Sequence, residues 1–150
     1  MGYDALVINA HPDDAETQMG GTLARLSDLG QRIAIVDLTD GEPSDLPEPG
    51  QFGEKAAEAA RVRGVERISL GGQDRLLSDT STVRLEVARL IREHRPEWVY
   101  GTDDACVHPD HAATVGLTRA AVFLAGLQKW DRVPGGERLA GQDPWKVGHM

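Results

Sequence analysis

The chain has 150 residues, enough for one domain around one core, and its 40% hydrophobic and 27% charged residues are those of an ordinary water-soluble protein. A net charge of -8 opposes nucleic-acid binding, which relies on basic patches against phosphate. The lone Cys106 excludes an internal disulfide, no apolar run is long enough for a bilayer, and Met1-Gly2-Tyr3-Asp4 lacks the basic region of a signal peptide, so the expected setting is cytoplasmic and away from membranes.

Ala5-Leu6-Val7-Ile8 is the first short, nearly continuous apolar run, read as a strand. Met19, Leu23 and Leu26 follow at helical spacing and Gly30 stops them. Ile33-Ala34-Ile35-Val36 repeats the strand pattern. The stretch 40–53, with Pro43, Pro47 and Pro49, is irregular and suits either a lid or a surface excursion. Ala56, Ala59 and Ala60 mark a small-residue helix ending at Gly64. Arg67-Ile68-Ser69-Leu70 is a weaker third strand, and Val83, Val87, Leu90 and Ile91 form a helix closed by Pro96. Trp98-Val99-Tyr100 is a fourth strand, and a fourth helix starts near Asp110 and carries Val115, Val122 and Phe123. Residues 128–150 read as an irregular tail in which Trp145-Lys146-Val147 opens a fifth strand. Strand and helix alternate four times, which predicts an α/β chain: a three-layer, Rossmann-like fold with a mostly parallel sheet, in a single domain over 1–150.

Two islands carry the chemistry: His11-Pro12-Asp13-Asp14 after the first strand, and His108-Pro109-Asp110-His111 after the fourth. Sites in parallel α/β sheets form beyond the carboxyl ends of the strands, where strand order reverses, and in the common doubly wound order these two strands are neighbours there. The prolines hold His11 and His108 extended at the strand ends. His and Asp are zinc ligands, and three protein ligands leave a fourth position for water. Asp13 and Asp14 cannot both point the same way, so one can bind metal while the other faces substrate. With His11, Asp14 and His111 as ligands, Asp13 is free to act as base. His108 is then placed to stabilise an oxyanion or protonate a leaving amine. Asp110 either orients His108, so that it carries a proton, or caps the helix.

These residues resemble a known family. Ala10-His11-Pro12-Asp13-Asp14-Ala15-Glu16, Gly20-Gly21-Thr22-Leu23 and His108-Pro109-Asp110-His111-Ala112 are similar, in order and spacing, to the LmbE-like (PIG-L) N-deacetylases. Asp37-Leu38-Thr39-Asp40-Gly41-Glu42 and Asp74-Arg75-Leu76 also look like that family. The resemblance implies a zinc-dependent hydrolase, with Fe2+ as an alternative ion, removing acetyl from an N-acetylglucosamine conjugate. It assigns zinc to His11, Asp14 and His111 and the general base to Asp13, and it alone chooses between Asp13 and Asp14. It places His108 near the oxyanion, supported by Asp110. The branch it looks closest to acts on glucosaminyl-malate in bacillithiol synthesis. Phe52 stands where family members commonly carry Arg, and Cys106 and Val107 stand where many have an acidic residue and Arg. Relatives continue past this length, so the C-terminal part of the family fold is expected to be missing and a homo-oligomer to cover the exposed sheet edge.

Lesser features have plainer readings. His94 is a helix-end residue and His149 a bystander. Glu16 braces the metal loop or is an acidic first-turn residue, and Gly20-Gly21 marks a close approach of strand or substrate or an adapted helix start. Arg75 meets an anionic substrate group or a surface acid, Cys106 is structural or incidental, and Trp130 and Trp145 pack the tail or another subunit. The alternative to an enzyme is a metal- or sugar-binding α/β module with little or no turnover. A nucleotide-binding domain ranks last, because the first turn lacks the glycine fingerprint.

Overall fold

In the computed structural model, which describes residues 2–103, 105–132 and 135–150 (the side chain of Asp131 excepted), four strands form one sheet. They are β1 (Ala5–Asn9), β2 (Ile33–Thr39), β3 (Glu66–Gly72) and β4 (Trp98–Gly101). All pairings are parallel, in the order β3-β2-β1-β4. The order reverses between β1 and β4, as expected for a doubly wound sheet. Four helices alternate with the strands: α1 (Asp14–Asp28), α2 (Gln51–Arg63), α3 (Ser81–His94) and α4 (Pro109–Gly126).

Side chains alternate across the sheet, so each strand contributes to two cores. Leu6, Ile8, Ala34, Val36 and Val99 pack with α3 and α4. Ala5, Val7, Ile33 and Ile35 pack with α1 and α2, through Ala15, Leu23 and Ala60. β1 and β2 are buried along their whole length, which explains their unbroken apolar runs. Thr80 caps α3 by accepting the Val83 N–H at 3.4 Å. α2 ends at Gly64 with φ 67°, a left-handed cap suited to glycine. Helix α1 is interrupted at Met19 and restarts at the glycine pair. Arg63 approaches Gly20: its Nη1 donates to the Gly20 carbonyl at 2.9 Å, and a Cβ there would lie 3.2 Å from Nη2.

The tail departs from expectation. It makes two 3-10 turns (Trp130–Arg132 and Gly136–Leu139), and Leu139 is fully buried. The fifth strand expected from Trp145 does not form. The Trp145 N–H donates to Ala125 O at 2.9 Å, which ties the chain to the end of α4 instead of the sheet. Among the described residues only one parallel bridge follows, Trp98 to His149, and His149 stacks on Trp98 with centroids 4.0 Å apart. Buried Arg92 joins the same corner, donating to Leu127 O at 2.6 Å and Gln142 O at 3.2 Å. Among the described residues no helix is long and apolar enough to cross a membrane.

Candidate functional site

Pairing of β1 with β4 sets Ile8 beside Gly101, so the loops leaving their carboxyl ends meet. This joins the two islands across about a hundred residues. His11 Nδ1 lies 3.2 Å from His111 Nε2 and 3.4 Å from Asp14 Oδ2, and His111 Nε2 lies 3.1 Å from Asp14 Oδ1. Donors around a tetrahedral zinc with bonds of 2.0–2.1 Å stand roughly 3.3–3.4 Å apart. His11, His111 and the Asp14 carboxylate thus stand close enough to share a divalent metal, and among the described residues two further groups could also hold one: His11 with His108 and His111, and His11 with Asp74 and Asp110. The loop is closed on itself: the His11 N–H donates to Asp14 Oδ2 at 2.9 Å and the Asp14 N–H to His11 O at 3.2 Å.

The other His11 nitrogen, Nε2, faces two more carboxylates, Asp74 Oδ1 at 3.0 Å and Asp110 Oδ2 at 3.2 Å. Burial works against a charged His11, but the carboxylates of Asp14, Asp110 and Asp74 outweigh it and push its pKa up to about 9. Asp14 is likewise opposed by burial, and its hydrogen bonds from His11 hold its carboxyl below the usual range. The pocket is built to hold positive charge.

The two remaining aspartates differ from expectation in one respect. Asp13 and Asp14 diverge as predicted, Asp14 buried and Asp13 exposed. Asp13 sits at the N-cap of α1 without making a side-chain cap bond, so its carboxylate faces a cavity of about 560 Å³ shared with Asp74. Asp110, however, neither turns its carboxylate to His108 nor caps α4. Its Oδ2 accepts the Arg75 N–H at 2.7 Å and faces His11. The cap is His108, whose Nδ1 accepts the Asp110 backbone N–H at 3.2 Å. An accepting Nδ1 places the ring hydrogen of His108 on Nε2. The His108 ring is 4.7 Å from that of His11 and 5.0 Å from that of His111.

Beneath the loop lies a network that sequence reasoning did not assemble. Alternation puts Asn9, Asp37 and Arg67 on the α1–α2 face. Asn9 Nδ2 donates to Asp37 Oδ1 at 2.8 Å and Arg67 Nη1 to Asp37 Oδ2 at 3.1 Å. Arg67 also donates to the Pro12 carbonyl and to Glu16. Burial raises the Asp37 pKa to about 7, against the opposing pull of Arg67. The one sequence signal was charged residues at inward strand positions. For Asp74 the available sequence clue is its place after β3, at the same end of the sheet as the two islands. Cys106 Sγ lies 3.1 Å from His111 Nδ1, so it touches the site through a ligand-type residue.

Comparisons with known proteins place the chain beside one family. Residues 6–122 match the family model described as PIG-L, GlcNAc-PI de-N-acetylase. Diacetylchitobiose deacetylase of Thermococcus kodakarensis is 33% identical over 95% of this chain and 56% of its own length. A 1D-myo-inositol 2-acetamido-2-deoxy-alpha-D-glucopyranoside deacetylase of Thermobispora bispora is 27% identical, with the same 95% and 56% coverage. The crystal structure of the conserved protein TT1542 from Thermus thermophilus superposes with a TM-score of 0.86 at 38% identity, covering 98% of this chain and 64% of that one. The chain thus spans a little over half the length of the curated relatives it matches.

Proposed function

The chain belongs to the PIG-L family, and on that premise we propose that it hydrolyses the N-acetyl amide of an N-acetylglucosamine conjugate at a divalent metal, zinc or alternatively Fe2+. The observation that carries this reading is the convergence of His11 Nδ1, His111 Nε2 and an Asp14 carboxylate at metal-ligand spacing, beside an exposed Asp13 with no cap to serve. A bound ion would supply Lewis acidity to the attacking water and the acetamide oxygen.

The chain's own residues supply the rest. Asp13 takes a proton from the water as its oxygen adds to the amide carbon. The same proton reaches the nitrogen as the C–N bond breaks, so acetic acid and the free amine leave. His108 donates from Nε2 to the developing oxyanion, since Nδ1 is occupied by the Asp110 N–H. Asp110 acts through His11: its carboxylate holds Nε2 and thereby aims Nδ1 into the ligand cluster. A module that only bound metal or sugar would need neither the exposed Asp13 nor a hydrogen on His108 Nε2.

Two of the relatives named above are deacetylases of diacetylchitobiose and of an inositol 2-acetamido-2-deoxyglucoside, which supports a substrate defined by its N-acetylglucosamine end. The test is amine release by the zinc-loaded protein from diacetylchitobiose, the inositol conjugate and N-acetylglucosaminyl-malate. Release that stops with a chelator and returns with zinc or Fe2+ supports the reading. Bound zinc with no amine from any of the three ends it in favour of the binding module.

A further inference from the structure

Asp13 has no side-chain partner to fix its direction. It makes no cap bond to α1, and among the described residues its carboxylate has neither a hydrogen bond nor an ion pair. Where it points is therefore set by the backbone on either side of it. His11 and Asp14 differ, because the turn bonds them to each other: the His11 N–H donates to Asp14 Oδ2 at 2.9 Å and the Asp14 N–H to His11 O at 3.2 Å.

The backbone around Asp13 is gripped from the sheet. Three neighbouring strands each contribute one polar residue: Asn9 ends β1, Asp37 pairs with it in register on β2, and Arg67 lies on β3 opposite Ile35. Asp37 accepts from Asn9 Nδ2 on one oxygen at 2.8 Å and from Arg67 Nη1 on the other at 3.1 Å, which fixes the guanidinium plane. The same Nη1 donates to the Pro12 carbonyl, and Nη2 donates to Glu16. That carbonyl belongs to the peptide that carries the Asp13 N–H, and Glu16 stands three residues after Asp13 in the first turn of α1. One planar fork thus holds the chain before and after Asp13. The Arg67 side chain is only 9% exposed, so water competes little for these acceptors. Arg63 is the other arginine that reaches α1, but its bond to the Gly20 carbonyl lies a turn beyond Glu16.

We propose that Arg67 is a positioning residue for Asp13: by gripping the Pro12 carbonyl and Glu16 together, it fixes the direction in which the Asp13 side chain leaves the backbone. This deepens the deacetylase reading and rests on it for the chemical role of Asp13. A base that must meet one proton loses rate steeply when it is misplaced by about 1 Å. The metal-ligand residues are held by their own turn, so the grip acts on Asp13 and spares His11 and Asp14.

The test reads backbone order and turnover separately, on the zinc-loaded chain. Arg67→Lys keeps the charge and loses the planar fork. The 15N order parameter of the Asp13 amide is expected to fall from about 0.85 in the parent toward about 0.6 in this variant, with His11 and Asp14 unchanged. Zinc affinity by chelator competition should change by well under the roughly 10–100-fold that follows loss of a ligand's own hydrogen-bond partner. Amine release from diacetylchitobiose should fall roughly 10-fold in kcat with KM unchanged. Placed in an Asp13→Asn background, Arg67→Lys should cost nothing further, because it acts through Asp13. Glu16→Ala removes the far side of the grip and should loosen Asp13 less, while Glu16→Gln still accepts from Nη2 and should restore order and rate. This pair carries the test if Arg67→Lys folds poorly, and Arg63→Lys should leave both readouts at the parent's values. An Asp13 amide that stays ordered in Arg67→Lys and Glu16→Ala overturns the proposal. Equal loosening of His11 and Asp14, or a full further loss in the Asp13→Asn background, also overturns it. If the parent releases no amine, the order parameters still decide the grip and only the deacetylase reading falls. Turnover by the parent with Asp13 ordered in both variants does the reverse.

Discussion

Single side chains in the site divide by what they touch. His11 and His111 point ring nitrogens at the same Asp14 carboxylate, so His11→Ala or His111→Ala should each abolish tight metal binding by elemental analysis. Asp13→Asn leaves those donors intact. It should retain the ion while lowering turnover by roughly 10²–10⁴-fold, measured as amine release. Arg67 is the buried counterpart: it joins β3 to Glu16, Asp37 and the Pro12 carbonyl. Arg67→Met strands those carboxylates and should destabilise the fold by about 3–5 kcal/mol in urea unfolding. Asp37 adds a pH signature. Its pKa is raised to about 7 from 3.8, so the folded chain holds this proton more tightly than the unfolded one. Stability from this group therefore falls as pH rises between those values, and the loss is complete above pH 7. Metal-free Asp37→Asn should show a flatter stability profile across that window than the parent.

Among the elements, the first turn of α4 combines two tasks. His108 caps the helix through Nδ1 and has Nε2 left for chemistry. His108→Ala should lose about 1 kcal/mol of stability with the cap, whereas His108→Asn can still accept from the Asp110 N–H and should lose less. Both should lower turnover equally, and a thermal-unfolding series beside an activity assay separates the two effects. The alternation of four strands and four helices was legible because β1 and β2 are buried on both faces and therefore apolar throughout. The pairing of the islands was legible because parallel topology dictates where strand ends meet. The role of Asp110 was not, because sequence adjacency to His108 suggested a contact that the helix geometry directs to His11 instead. Arg67 and Asp74 escaped assignment for a related reason: their partners lie on other elements. The fifth strand was misread because Val147 packs against the core while the backbone at Trp145 is already bonded to α4.

Across the whole molecule, the tail sits along the β4 edge of the sheet. Residues 148 and 149 bond to Glu97, and His149 accepts from Val99. Trp98 is still 40% exposed and Phe123 67% exposed. Trp145 anchors the tail by donating from Nε1 to Pro96 O at 2.8 Å. Trp145→Ala should lose about 2 kcal/mol and raise self-association by light scattering, because it frees β4 for pairing. Unchanged association would mean that copies meet elsewhere.

The β1–β4 pairing has a consequence for how the chain folds. Residues facing each other across that seam are far apart in sequence, and His11 and His111 are separated by 100 positions. An ion gripped by both islands closes residues 11–111, two thirds of the chain, into a ring, as a cross-link would. In the chain-entropy description, closing a loop of that size removes roughly 5 kcal/mol of denatured-state freedom. Loading would then retard global opening, and stripping the ion should speed amide exchange at Val99 and Tyr100 more than at Ile68 on the β2–β3 seam. An ion recruited for hydrolysis would by the same contacts set how long the chain stays closed.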